Sequence, residues 1–101
     1  MLAVISVDKP DELLNGYSLE QNYPNPFNPS TKIKYTIKES GFVTIHLFDI
    51  FGREVRKLVN TFQPSGNYEI TFDAKDLTSG VYYYKININE FTATKKMLLM
   101  K

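Results

Sequence analysis

The chain contains no cysteine, which excludes a disulfide framework and thiolate chemistry. That absence leaves the compartment open, because a domain with an adequate core does without covalent staples. It contains one histidine, His46, so a Ser-His-Asp arrangement or a histidine-based metal site would have to be built on that residue. No serine stands in a nucleophile-elbow context, which argues against hydrolase chemistry. Charge is also missing: Lys and Arg number 12 against 11 for Asp and Glu, a formal net charge of +1. A nucleic-acid groove needs a concentrated basic face, so no nucleic-acid partner is expected. No apolar run approaches the roughly 18 residues of a membrane span. The short run Leu2-Ala3-Val4-Ile5 lacks a basic n-region and an h-region of useful length, so it is not a secretory signal. An exported chain would carry that signal on a longer precursor.

At 101 residues the chain has room for one core. Hydrophobic residues make up 43% and aromatics 14%, enough for a packed interior and too much for a disordered tail. Asp8 to Gly16 is polar, carries Pro10 and ends in Asn-Gly, so it reads as linker and turn. Residues 1–16 are therefore expected to be a linker or the end of another domain, and residues 17–101 the domain itself.

The most unusual stretch is Tyr23-Pro24-Asn25-Pro26-Phe27-Asn28-Pro29-Ser30-Thr31. Each proline fixes its own φ and removes a donor, and each pushes the residue before it toward extended geometry. The expectation is a stiff, extended strap in which Asn25 and Asn28 close Asx-type turns onto the following backbone.

From Thr31 the period is two. Ile33, Tyr35 and Ile37 alternate with Lys32, Lys34, Thr36 and Lys38, the pattern of a half-buried strand. After Glu39-Ser40-Gly41, the residues Val43, Ile45 and Leu47 face inward and Thr44 and His46 outward. Asp49-Ile50-Phe51-Gly52 reads as a tight hairpin turn, with Gly52 taking a positive φ. Glu54 to Val59 is the return strand, with a less clean alternation, and Asn60 to Gly66 reads as a loop. Tyr68, Ile70 and Phe72 alternate again. Asp73 to Gly80 is irregular, with room for one helical turn. Tyr82, Tyr84, Ile86 and Ile88 form an inner row, Asn87 to Glu90 holds a turn, and Phe91 to Lys101 is a final strand. With a short strand at Tyr17 to Asn22, the count is about seven, the signature of an all-β sandwich of antiparallel strands.

Few residues offer chemistry. His46, on the polar side of a strand, reads as a surface histidine, because a metal site needs several convergent ligands. Asp73 and Asp76 read as turn formers rather than a calcium loop. Tyr82, Tyr83 and Tyr84 put hydroxyls on both faces of one strand, which suits core packing better than a flat sugar platform. Phe48, Phe51 and Phe62 would form a contact patch if they clustered exposed at the rim. No cofactor is expected.

Four stretches resemble a known family. Leu19 to Thr31, with its Tyr23-Pro24-Asn25-Pro26-Phe27-Asn28-Pro29 core, resembles the opening motif of the type A C-terminal sorting domains of the type IX, or Por, secretion system. Leu47-Phe48-Asp49-Ile50-Phe51-Gly52-Arg53-Glu54-Val55 is similar to that family's central hairpin. Leu77-Thr78-Ser79-Gly80-Val81-Tyr82-Tyr83-Tyr84 is similar to its penultimate strand, and Lys95-Lys96-Met97-Leu98-Leu99-Met100-Lys101 to its terminal strand. The second half also resembles the immunoglobulin-like domain of flagellar hook-assembly proteins.

The resemblance implies an immunoglobulin-like β-sandwich acting as a C-terminal export address on a secreted multidomain protein. An outer-membrane translocon would recognise it, and a sortase-like protease would cut upstream of Leu19. The passenger would reach the cell surface or the medium by way of the periplasm. Such a domain is a substrate of an enzyme, not an enzyme. The recognition residues implied are Pro24, Asn25, Pro26, Phe27, Asn28, Pro29, Gly52, Arg53, Gly80, Lys96, Met97, Leu98, Leu99, Met100 and Lys101. For the strap, a recognition surface and a structural clamp both fit. At Met97 to Lys101, strand addition by a receptor and completion of the core both fit. Edge strands also leave room for weak pairing between chains. Two other classes remain open on the residues alone: an accessory carbohydrate-binding module and an adhesion or assembly module.

Overall fold

The computed structural model describes residues 16–101; the readings of the Leu2–Ile5 run and of the linker before Gly16 lie outside the described residues. Seven strands and no helix are found among the described residues: β1 (Ser18–Leu19), β2 (Ser30–Ile37), β3 (Gly41–Phe48), β4 (Glu54–Gln63), β5 (Gly66–Asp73), β6 (Gly80–Ile88) and β7 (Phe91–Leu99). They form two antiparallel sheets, a three-stranded one in the order β1-β2-β5 and a four-stranded one in the order β4-β3-β6-β7. The chain changes sheet between β2 and β3, between β4 and β5, and between β5 and β6. This is the all-β sandwich that the alternation predicts.

The two inner faces make one core. Ile33, Tyr35 and Ile37 of β2 meet Val43, Ile45 and Leu47 of β3 and Tyr84, Ile86 and Ile88 of β6, all buried. β2 shows why these segments become strands. Its lysines fall on the solvent side while each alternate residue is buried, so a slip by one position would put charge into the core.

β4 departs from the sequence reading in two ways. It continues through Gln63, where a loop is expected from Asn60, because Asn60 to Gln63 pair with Thr44 to Gly41 of β3. An edge strand solvated along one side can be as polar as a loop. Its irregular alternation comes from two shifts of register. Ile45 faces Val59 but His46 faces Lys57, and Leu47 faces Arg56 but Phe48 faces Glu54. The bulged residues are thus Leu58 and Val55, and both pack against the core. The helical turn expected within Asp73 to Gly80 is also absent. A single hydrogen-bonded turn stands there, Leu77 N–H donating to the Ala74 carbonyl at 2.9 Å.

Strand directions sort the connections onto two ends of the sandwich. One end carries the β2–β3, β4–β5 and β6–β7 turns. There Asn89 adopts φ +53°, a left-handed geometry that Asn tolerates. Its side chain donates to the Tyr17 hydroxyl at 3.0 Å and the Glu39 carbonyl at 3.1 Å. The fit is tight: a Cβ on Gly41 would meet the Asn89 Oδ1 at 2.5 Å. The other end carries the proline strap, the β3–β4 hairpin tip, the β5–β6 connection and the residues that follow β7.

Candidate recognition site

The strap does not run out as an extended rod. Tyr23 and Lys32 exchange backbone hydrogen bonds of 3.0 Å in both directions, so residues 23–32 leave and return at one point, as in an Ω-loop. The peptide bonds before Pro24, Pro26 and Pro29 are cis. The expected extended path is overturned by a buried polar network that draws the strap back on itself. The Asn22 amide group donates to the Pro24 carbonyl at 3.1 Å and to the Thr31 hydroxyl at 2.9 Å. The Thr31 hydroxyl donates in turn to the Pro24 carbonyl at 2.8 Å. Asn22 and Thr31 are the buried polar residues among those described, and buried polar groups need such partners.

The root of the strap is pinned from the opposite sheet. The Tyr84 hydroxyl, carried up from β6 by a fully buried ring, donates to the Glu20 carbonyl at 2.7 Å. It also accepts the Asn22 backbone N–H at 2.7 Å. Burial pushes this phenol well above its ordinary value, against the opposing pull of the Asn22 N–H.

Beyond its root the strap lies along the outer edge of β7. Phe27 N–H donates to the Leu98 carbonyl and Met100 N–H to the Phe27 carbonyl, each at 3.0 Å. Leu98 N–H donates to the Asn25 side-chain oxygen at 2.9 Å, and the Gln21 side chain donates to the Lys96 carbonyl at 2.6 Å. Asn25 therefore does not close a local Asx turn; its oxygen is used by a residue 73 positions away. The Phe27 ring is buried against Phe72, centroids 6.2 Å apart. A receptor strand could not simply add along residues 96–100, because the chain's own strap already occupies that edge.

The remaining predicted residues sort by burial. Met97 and Leu99 lie in the core, whereas Lys96, Met100 and Lys101 are exposed and Leu98 is half-buried. Lys101 N–H donates to the Ser79 hydroxyl at 3.1 Å. Gly80 pairs with Leu99. Gly52, at φ +83°, closes the β3–β4 hairpin, where its N–H donates to the Asp49 carbonyl at 3.0 Å. Arg53 and Gly80 line one cleft of about 410 Å³ between that hairpin and the β5–β6 connection, with Phe51, Leu77 and Tyr82 as neighbours. The strap, the hairpin tip, the Gly80 segment and the end of β7 thus share one pole.

Sequence reasoning missed Gln21, Asn22, Thr31 and Tyr84, which hold the strap in place. The first three stand inside the Leu19–Thr31 stretch, whose prolines carry the stronger local signal. Tyr84 reads as core, and its hydroxyl, which must find a partner when buried, was the available signal.

The other candidates are engaged structurally. His46 Nδ1 stands 3.2 Å from Glu54 Oε1. Asp73 accepts from the Lys75 N–H at 3.0 Å, a local turn contact as expected. Asp76 caps no helical turn; it pairs with Arg56 at 2.7 Å, and that bond holds its carboxyl below the ordinary range. Tyr82 and Tyr84 are buried and Tyr83 alone of the three is exposed, so they form no flat platform. Phe48, Phe51 and Phe62 do not cluster. Phe62 stands beside Phe42 near the far end, and Phe51 stands at the hairpin tip.

A family model described as the secretion system C-terminal sorting domain matches residues 21–100. A search of curated proteins returns no match.

Proposed function

The chain belongs to the family of secretion system C-terminal sorting domains, a type IX export signal, and from that premise we propose that its strap-bearing pole is the surface the outer-membrane translocon reads. Export to the cell surface or the medium follows from the family. The finer reading is that a passenger carrying this domain crosses the periplasm and is handed to the translocon by the pole. A sortase-like protease then removes the domain, which acts as a substrate and not as an enzyme.

The observation that carries this reading is convergence. Four stretches far apart in the sequence, each similar to a family motif, meet at one end of the sandwich. The cleavage step has a physical boundary. Ser18 and Leu19 are paired with Thr36 and Tyr35, and the Tyr17 ring stacks on Phe91 at 5.4 Å. A cut that leaves the sandwich intact therefore falls before Tyr17.

The test is a passenger fused ahead of the full chain and expressed in a bacterium with a type IX system. The fusion should appear outside the cell and the passenger alone should stay inside. Equal export of the passenger without the domain overturns the proposal.

A further inference from the structure

Two large apolar side chains stand in solvent at the tip of the β3–β4 hairpin: Ile50 is 62% exposed and Phe51 76%. Neither belongs to the buried core. A loop tip that served only to reverse the chain would be expected to carry polar residues.

The tip is held rigidly. Asp49 N–H donates to the Arg53 carbonyl and Gly52 N–H to the Asp49 carbonyl, both at 3.0 Å. The Asp49 carboxylate accepts from the Phe51 N–H at 2.9 Å, the Arg53 N–H at 3.0 Å and the Arg53 Nε at 2.9 Å. The Arg53 guanidinium lies 5.3 Å from the centre of the Phe51 ring. A Cβ on Gly52 would meet nothing within 4 Å, so glycine is there for its positive φ and not for space. A feature fixed in this way loses little freedom when it is bound.

Resting on the sorting reading above, we propose that Ile50 and Phe51 form an apolar prong that seats in an apolar, acid-rimmed socket on the receiving protein of the export machinery. The acidic rim follows from exposure of charge. The Arg53 side chain is 73% exposed while that of Asp49 is 16% exposed, so the tip presents its cation and covers its anion. The cleft behind the prong, walled by Leu77 and Tyr82, accepts an apolar side chain from the partner in return. A protein socket fits better than a lipid surface. Lipid recognition of this kind draws on clusters of about 4–8 basic residues, and the prong pairs a single cation with two shaped side chains.

The experiment uses the full chain fused behind a passenger. The variant I50S/F51S should lower the exported fraction roughly tenfold or more, as expected for loss of an anchor. Its Tm should stay within about 2 °C, because both side chains are exposed. R53E, which keeps both apolar side chains, should also lower export, through repulsion at the rim. Export of both variants within about twofold of the parent, with the passenger alone retained, overturns the prong and leaves the sorting reading standing. Export of the passenger alone overturns both. Loss of binding to phosphatidylglycerol vesicles in I50S/F51S would overturn the protein socket in favour of a lipid surface.

Discussion

Tyr84→Phe removes one oxygen atom from the core and tests whether the strap is fastened from below. In the parent the hydroxyl makes two bonds of 2.7 Å, donating to the Glu20 carbonyl and accepting the Asn22 N–H. The consequences differ at the two ends. Glu20 is exposed, so water can satisfy its carbonyl. Asn22 is 2% exposed, and its N–H would be left buried without a partner, which costs about 1–3 kcal/mol. Taking about 2 kcal/mol, a domain of this length should lose roughly 8–16 °C in Tm. The ring remains, so the void is no larger than a hydroxyl and most of the loss belongs to the hydrogen bonds. The assay is urea and thermal unfolding of both proteins, with amide exchange to locate the effect. The Asn22 amide should exchange faster in the variant while the central amides of β3 keep their ranking. A stability change below about 0.5 kcal/mol, within the range of an ordinary surface substitution, would refute the fastening argument.

Phe27→Ala should destabilise by about 3–5 kcal/mol, as for other buried Phe truncations, and should lift the strap from Leu98. The bared edge of β7 should then pair between molecules, so sedimentation should show more self-association than in the parent; a stable variant no more associated than the parent would contradict this. Alkaline pH provides another test. Burial raises the phenol values of Tyr84 and Tyr35 above the ordinary 10.0. Below that pH both phenols are protonated in the folded and unfolded states, and their contribution is fully present. Above it the unfolded chain releases protons that the folded chain keeps, so stability should fall as pH rises. Urea midpoints measured across this range should decline less steeply in Tyr84→Phe; parallel declines would count against the burial argument.

Local chemistry is legible in this sequence and long-range partnership is not. The alternation of Ile33, Tyr35 and Ile37 with lysines declares a face, and Asp49 with Gly52 declares a turn, because period and φ preference are properties of neighbouring residues. The bulges at Val55 and Leu58 blur the period of β4, and the polar Asn60 to Gln63 segment resembles a loop because one side of an edge strand is solvated. The prolines identify the strap. Its docking on β7 depends on Asn25, Phe27 and Gln21 meeting residues more than seventy positions away, and no local rule carries that information. Tyr84 shows the same limit. Its ring follows the period of β6, while its hydroxyl serves the opposite end of the sequence.

The order of synthesis gives the seated strap a meaning of its own. Residues 23–29 leave the ribosome long before Leu98 and Met100, and until those two exist the Phe27 backbone and the Asn25 side chain lack their partners on β7. A nascent, truncated or mispaired chain therefore cannot display it docked on β7. Its docked shape is a certificate of completion, issued only when the last strand has been made and has found β6. A transport apparatus that inspected this one corner would be checking the finished state of the whole module.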